Sequence, residues 1–338
     1  MKVACVLTTI QVPEVLPLYA KTPASPRFFV IGDRKTPDKA IDEFLSERVP
    51  RSDYYSIERQ HDLGYACSQL IGENCIQRRN IGFLEALNWG ADFIVTIDDD
   101  NIPIGEYFNQ FWATRSAWNG IEATSESGWF DVGRLISGTP AHRGFPITQR
   151  ATPAFRPAVD AKIGVAAGVC LGDPDISAVT RIERAPIAHN VSELLSNGVI
   201  TDPRRCLTVF NSQNTSFIRQ LTPAMFMLPF VGRYDDILAS LICQRVMQEW
   251  GLCVHFGKPF VWQQRNNHNL VHDLRFEMMG MEVIDEFAEF LFQPYRAEHS
   301  IMIQLRGIWG RLATANILPM STVQAAIAYL DDCEQVMQ

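Results

Sequence analysis

The sequence predicts an α/β fold, a mostly parallel sheet with flanking helices followed by a helical C-terminal part. Three observations carry this. Along the first hundred residues short apolar runs alternate with helical patterns, and repeats of strand, crossover and strand pair in parallel with right-handed connections. The run Ala91-Asp92-Phe93-Ile94-Val95-Thr96-Ile97 is aliphatic and β-branched in the manner of a strand covered on both faces, and it ends in Asp98-Asp99-Asp100-Asn101. From residue 270 to 337 the apolar spacing is helical.

Taken in order, residues 3–9 form a buried strand and residues 27–31 a second, ending in Gly32-Asp33. Pro13, Pro17, Pro23 and Pro26 forbid a long regular helix between them. Residues 38–47 carry Ile41, Phe44 and Leu45 at helical spacing, and 54–57 is a short extended piece. The best-defined early helix is 75–89, with Ile76, Asn80, Phe83, Leu84 and Leu87 on one face. Gly82 inside it costs about 1 kcal/mol against alanine, so a close contact or a ligand is expected there. After the acidic cluster, 103–112 reads as a short helix, 119–133 as a polar loop, and 138–156 as a Pro- and Gly-rich loop holding Arg143, Arg150 and Arg156. Residues 161–171 are apolar, and 206–210, 252–256 and 260–262 are strand candidates. Between these, 231–250 opens with Gly232-Arg233-Tyr234-Asp235-Asp236 and continues as a helix.

The 338 residues suffice for one α/β domain over 1–265 and a helical subdomain without catalytic content over 266–338. A net charge of −8 argues against a nucleic-acid partner, so an anionic ligand must be met locally by a metal or a few placed arginines. Eight cysteines without CxxC spacing read as reduced and mostly buried, with no zinc site. No apolar run approaches a membrane span, and no leader segment opens the chain. A soluble, cytoplasmic protein is expected.

Three adjacent carboxylates at a strand's carboxyl end lie where open α/β sheets bind ligands, and they repel one another unless a cation offsets the charge. Asp98 and Asp100 point to the same side of an extended chain and so are expected to share one Mg²⁺ or Mn²⁺ ion, the cations that suit oxygen ligands and phosphates. Asp235 and Asp236, with Arg233 and Tyr234, are a candidate acceptor or base site, or else caps of their helix.

A first strand ending in Thr8-Thr9, a second ending in Asp33, a helix carrying Arg79-Asn80-Ile81-Gly82 and a strand ending in Asp98-Asp99-Asp100 resemble the GT-A glycosyltransferases. Arg143-Gly144-Phe145-Pro146-Ile147-Thr148-Gln149-Arg150, Gly168-Val169-Cys170-Leu171 leading to Pro174-Asp175, Asn214-Thr215-Ser216-Phe217 and Gly232-Arg233-Tyr234-Asp235-Asp236 narrow the likeness to the reversibly glycosylated polypeptides, the UDP-arabinopyranose mutase family. The resemblance covers roughly residues 3–262 and implies a GT-A-like, Rossmann-type sheet. Thr8, Thr9 and Asp33 would then meet the uridine part, Arg79 and Asn80 the diphosphate, with Asp99 and Arg233 completing the nucleotide-sugar set. Asp98 and Asp100 would hold the metal, and Arg150 would carry the sugar transiently, with Asp235 and Asp236 beside it. The chain departs from the family at Gln263, where the family carries histidine, with His268 nearby. The resemblance implies a metal-dependent enzyme for a nucleoside-diphosphate sugar. Ring-form mutase, glycosyltransferase to a separate acceptor, and non-catalytic binding subunit, alone or in an oligomer, all remain open.

Overall fold

In a computed structural model of the chain, the structure describes residues 1–22, 24–108, 117–138, 141–266, 268–294 and 300–338. The predicted parallel units are there: β1 (Val3–Thr8), β2 (Arg27–Ile31), β3 (Ser52–Tyr55) and β4 (Phe93–Ile97) stand in the order β3-β2-β1-β4, every pair parallel. That is the strand order of a nucleotide-binding half, whose ligand side is the carboxyl edge. β1, β2 and β4 are mostly apolar at consecutive positions because both faces are covered, whereas the edge strand β3 is not. In β1, Ala4 and Val6 face one core while Val3, Cys5 and Leu7 face another, as the period of two requires.

Helices α1 (Leu16–Ala20) and α2 (Asp38–Arg48) cover the second face with Leu16, Tyr19, Ile41 and Leu45. On the first face, α3 (Ile57–Asp62) and α4 (Ala66–Ile71) precede α5 (Arg79–Asn88), which crosses β1 and β2. A Cβ at Gly82 would lie 2.4 Å from Val6 Cγ1 and 3.0 Å from Ile31 Cγ1. Close helix-to-sheet approach is therefore the reason for that glycine.

Beyond β4 the sheet turns mixed. Strands β5 (Asn101–Pro103), β6 (Trp118–Ser125), β7 (Pro153–Ala167), β8 (Cys170–Gly172), β9 (Val199–Thr201) and β10 (Asn214–Ile218) follow in sequence, with α6 (Ala178–Glu183) and α7 (Glu193–Ser196) between β8 and β9. β10 runs antiparallel to both β4 and β7, which brings residues 211–214 to the carboxyl edge of β4. Two expected loops are corrected, since 118–125 and 153–161 pair with each other as an antiparallel ribbon. Much of that ribbon is exposed, so neither half shows the apolar alternation that would betray a strand. The strand expected at 206–210 is a single bridge between Trp129 and Leu207. The short helix expected at 103–112 falls partly outside the described residues, as do Pro23 and Pro140.

The 16-residue helix α8 (Asp235–Trp250) is buried along most of its length, and β11 (Leu252–Phe256) returns to the large sheet. β12 (Val261–Gln263) pairs with β5 and β8 in a second, three-stranded sheet above the carboxyl edge. Helices α9 (Leu270–Leu291), α10 (Ile301–Ala315) and α11 (Met320–Met337) complete the chain's described elements. They bury Ile284, Phe287, Leu305, Trp309 and Tyr329 in the same cluster as Val6 and Ile31, so they share the core of the sheet's first face. Asp332 on α11 accepts from the backbone N–H groups of Ala66 and Cys67 at 2.9 Å each, capping α4, whose own N-cap residue Tyr65 supplies no side-chain bond. All eight cysteines are free, and seven are buried. Among the described residues no helix is long and apolar enough to cross a membrane.

Candidate active site

Two cavities meet at the carboxyl edge of β1, β2 and β4. The outer one, about 580 Å³, is lined by Thr8, Thr9, Asp33, Lys35, Arg79 and Asp98 to Asp100 among others. The inner one, about 210 Å³, is lined by Asp98, Asp100, Arg143, Asp175, Arg233, Asp235, Asp236, Gln263 and Arg265. Ile76, Asp98, Asp100 and His268 belong to both walls, so the carboxylates stand at the junction.

Each acid has a distinct setting. Asp98 accepts from Arg79 Nη2 at 2.7 Å, and that buried guanidinium is fixed from behind by Thr8, Thr96 and Ser212. Arg79 is thus a holder of Asp98. Thr9 donates to Asp99 at 2.6 Å, yet burial keeps the Asp99 carboxyl above its ordinary pKa. Burial, with Asp98 and Asp99 alongside, pushes Asp100 up to about 6. Asp33 accepts from the backbone N–H groups of Arg34, Asn74 and Cys75 at 2.7 to 2.8 Å, so most of its acceptor capacity shapes the loop at the cavity wall.

No group of three or more His, Cys, Asp or Glu side chains suited to a metal occurs among the described residues. Asp100 Oδ1 and Gln263 Oε1 are nonetheless buried without a hydrogen-bond donor among them. Two orphaned oxygen acceptors beside Asp98 form a donor set that fits a hard divalent cation, with a ligand's phosphates and water filling the remaining positions.

The inner cavity is organised by Arg143, buried between two acids. Its Nε donates to Asp175 at 2.9 Å, Nη2 donates to Asp236 at 3.1 Å, and Nη1 donates to the Arg233 carbonyl. The loop reaches this place because Gly144, at φ +77°, fits against α8 where a Cβ would lie 2.4 Å from Ile237 Cγ2. Burial alone would raise the Asp175 carboxyl, but Arg143 and His142 hold it well below the usual carboxylate range. Asp236 also accepts from the Ser212 N–H at 2.9 Å, so it is an anchor. Asp235 differs, because its bond is to the neutral Gln77 amide at 2.7 Å; burial and the neighbouring Asp236 push it up to about 7. A carboxyl that titrates near neutrality in a cavity wall can take up and release a proton.

α9, expected to carry no site residues, supplies Asp273 and Glu277 to Arg233 at 3.5 and 3.3 Å. Gly280 of the same helix packs on Tyr234, where a Cβ would sit 1.9 Å from the ring. Gly280→Ala is expected to destabilise the protein by about 1–3 kcal/mol, overpacking outweighing the helix propensity gained. The shift of the denaturant midpoint measures it.

Two expected positions are corrected. Asn80 is fully buried and bonds both the carbonyl and the N–H of Met227, at 2.8 and 2.9 Å, so its amide is spent on the backbone and does not reach the diphosphate path. Arg150 is exposed and lines neither cavity, because Thr148 and Gln149 tie its turn to Asp285 on α9. Arg143, Asp175 and Ser212 are site residues the sequence did not assign. Arg143 and Asp175 lie inside the two motifs quoted above, which was the available signal.

The profile of a family described as Reversibly glycosylated polypeptide matches residues 59–302. The chain is 28% identical over 210 residues to a probable UDP-arabinopyranose mutase 2 of Solanum tuberosum, covering 59% of this chain and 53% of that one. It is 24% identical over 275 residues to UDP-arabinopyranose mutase 1 of Oryza sativa subsp. japonica, covering 76% and 68%. The chain spans about half the length of the potato and pea relatives it matches. A crystal structure of S. aureus TarS 1-349 in complex with UDP-GlcNAc aligns over 100% of this chain and 90% of that one, with TM-score 0.41 and 12% identity.

Proposed function

The chain belongs to the reversibly glycosylated polypeptide family, and from that membership we propose that it binds a UDP-linked sugar across the two joined cavities and acts on it as a mutase or glycosyltransferase. The observation that carries the reading is the meeting of a large outer and a small inner cavity at Asp98 and Asp100. The outer space takes the nucleoside, the junction the diphosphate, and the inner space the sugar. Mutase names among the relatives support ring-form interconversion.

Either reaction breaks the bond between the anomeric carbon and the diphosphate, the electron pair leaving with UDP, and takes one proton off an attacking hydroxyl. In the mutase that hydroxyl is the sugar's own, the old ring oxygen parts from the anomeric carbon and takes up a proton, and UDP returns to re-form its bond. Asp235 is the group for that proton, being buried, in the cavity wall and titrating near neutrality. Asp236 and Asp175 hold Arg143 in place, and Arg79 aims Asp98. Asp98, Asp100 and the Gln263 amide oxygen would hold a Mn²⁺ or Mg²⁺ ion, which when bound supplies charge neutralisation on the diphosphate.

Arg150 sits on an exposed turn, and this favours a second reading, in which the sugar passes to a separate acceptor entering from outside. A covalent role for Arg150 requires its turn to leave Asp285 and swing inward. Incubation with a panel of UDP-sugars, product separation and peptide mass mapping decide between these. A changed ring form supports the mutase, sugar on an added acceptor the transferase, and no turnover of any UDP-sugar removes both. Asp100→Asn is expected to weaken UDP-sugar binding by roughly tenfold or more at fixed Mn²⁺, as the loss of a ligand to the metal does. Calorimetry with and without EDTA reads this, and equal wild-type affinity in EDTA would take the metal out of the account.

A further inference from the structure

Arg265 stands out among the cations of the two cavities because its charge is poorly matched by the protein. Its side chain is 12% exposed, and the ion pair it makes is with Asp273, 3.6 Å from Nη2 and beyond hydrogen-bond reach. Among the described residues its buried Nε has no acceptor. Arg181 and Arg233, like charges, oppose its own, while the acids that act on it, Asp175 and Asp173, are already paired with Arg143 and Arg181, and a guanidinium cannot discharge itself to relieve this. The other arginines of the region are committed: Arg143 to Asp175 and Asp236, Arg181 to Asp173, and Arg79 to Asp98. Arg265 lines the inner cavity beside Asp98, Asp100 and Gln263, and it also lines a third opening with Asp99 and Asp100. Its largely desolvated side chain thus lines the inner cavity together with Asp98 and Asp100, the acids that stand where the two cavities join.

We infer that Arg265, with Arg233 behind it, is a diphosphate-binding residue that takes the charge of the leaving phosphate by a fork of N–H donors. This rests on the nucleotide-sugar reading and deepens it, by assigning a protein cation to the leaving group in addition to any metal at Asp98 and Asp100. A buried, under-partnered guanidinium gains most from a planar, two-oxygen acceptor, which a phosphate offers and a sugar hydroxyl does not. Arg233 is secondary because Asp273 and Glu277 already share its charge.

Calorimetry with UDP, inorganic pyrophosphate and uridine, each in EDTA and again in Mn²⁺, tests the assignment on wild-type protein, Arg265→Gln and Arg265→Lys. Arg265→Gln is expected to lose roughly ten- to a hundredfold in affinity for UDP and pyrophosphate in EDTA, while uridine binding stays unchanged. Arg265→Lys should fall between, keeping the charge and losing the fork. UDP binding by Arg265→Gln equal to wild type overturns the role, and so does an equal loss for uridine, which marks a structural effect on the whole cavity. A wild-type protein that binds neither UDP nor pyrophosphate overturns the nucleotide-sugar reading, and this inference with it.

Discussion

Asp235→Asn is expected to lower turnover by roughly 10²–10⁴ while UDP-sugar affinity stays within about twofold, the pattern of a lost proton-transfer group. Steady-state kcat and KM measure it, and a near-normal kcat would return Asp235 to the role of helix-end acid. Stability separates the two accounts further. The carboxyl titrates at about 7 in the folded protein, against about 3.9 in an unfolded chain. Between those values the folded state holds a proton that the unfolded state has released. Its contribution is therefore complete below about pH 4 and falls away as pH rises to about 7. At pH 8 Asp235→Asn removes a buried charge rather than a favourable one, so the variant should unfold no earlier than wild type there. The wild-type rate should rise through an apparent pKa near 7, and that limb should vanish in the variant.

Arg143→Met is expected to cost about 3–5 kcal/mol of folding stability at pH 7, because Asp175 and Asp236 would be left charged and buried without their shared partner. Denaturant unfolding measures it, and a loss under about 1 kcal/mol would mean that water compensates the two acids. The loss should depend on pH. Asp175 titrates below its unfolded value, so its contribution is present above about pH 4 and is lost as the pH falls through the lower, folded value. The gap between variant and wild type should therefore narrow in acid. Arg143→Lys keeps the charge but cannot span both carboxylates, and should recover only part of the loss.

How much of this was legible in the sequence follows from how local each signal is. β1, β2 and β4 announce themselves because both their faces are buried, so the runs are apolar at nearly every position, with Thr8 and Arg27 at strand ends and Thr96 the exception inside. The acid cluster is legible for a related reason, since three adjacent charges at the end of such a run repel one another unless a cation offsets them. The Arg143 clamp is not legible, because Arg143 meets Asp175 and Asp236 only once three separate segments are folded together. Arg265 is hidden for the converse reason, as its distinguishing property is the lack of a close partner. Asn80 misleads because the resemblance sets it beside Arg79 on the diphosphate path, whereas its partner, the backbone of Met227, leaves no trace in a side-chain pattern. The ribbon of β6 and β7 fails for want of alternation: its halves stabilise each other through backbone bonds and show few buried side chains.

The cap that Asp332 places on α4 ties two stretches that the ribosome makes far apart in time. Residues 57–88 leave the exit tunnel early, but the helix at 66–71 has its first N–H groups unanswered until 320–337 has also emerged. The early strands and helices of the nascent chain thus present an unfinished surface, apolar as well as polar, until 301–337 can cover it, and a chain truncated before residue 320 is expected to be cut by protease within 57–88 where the full chain is not.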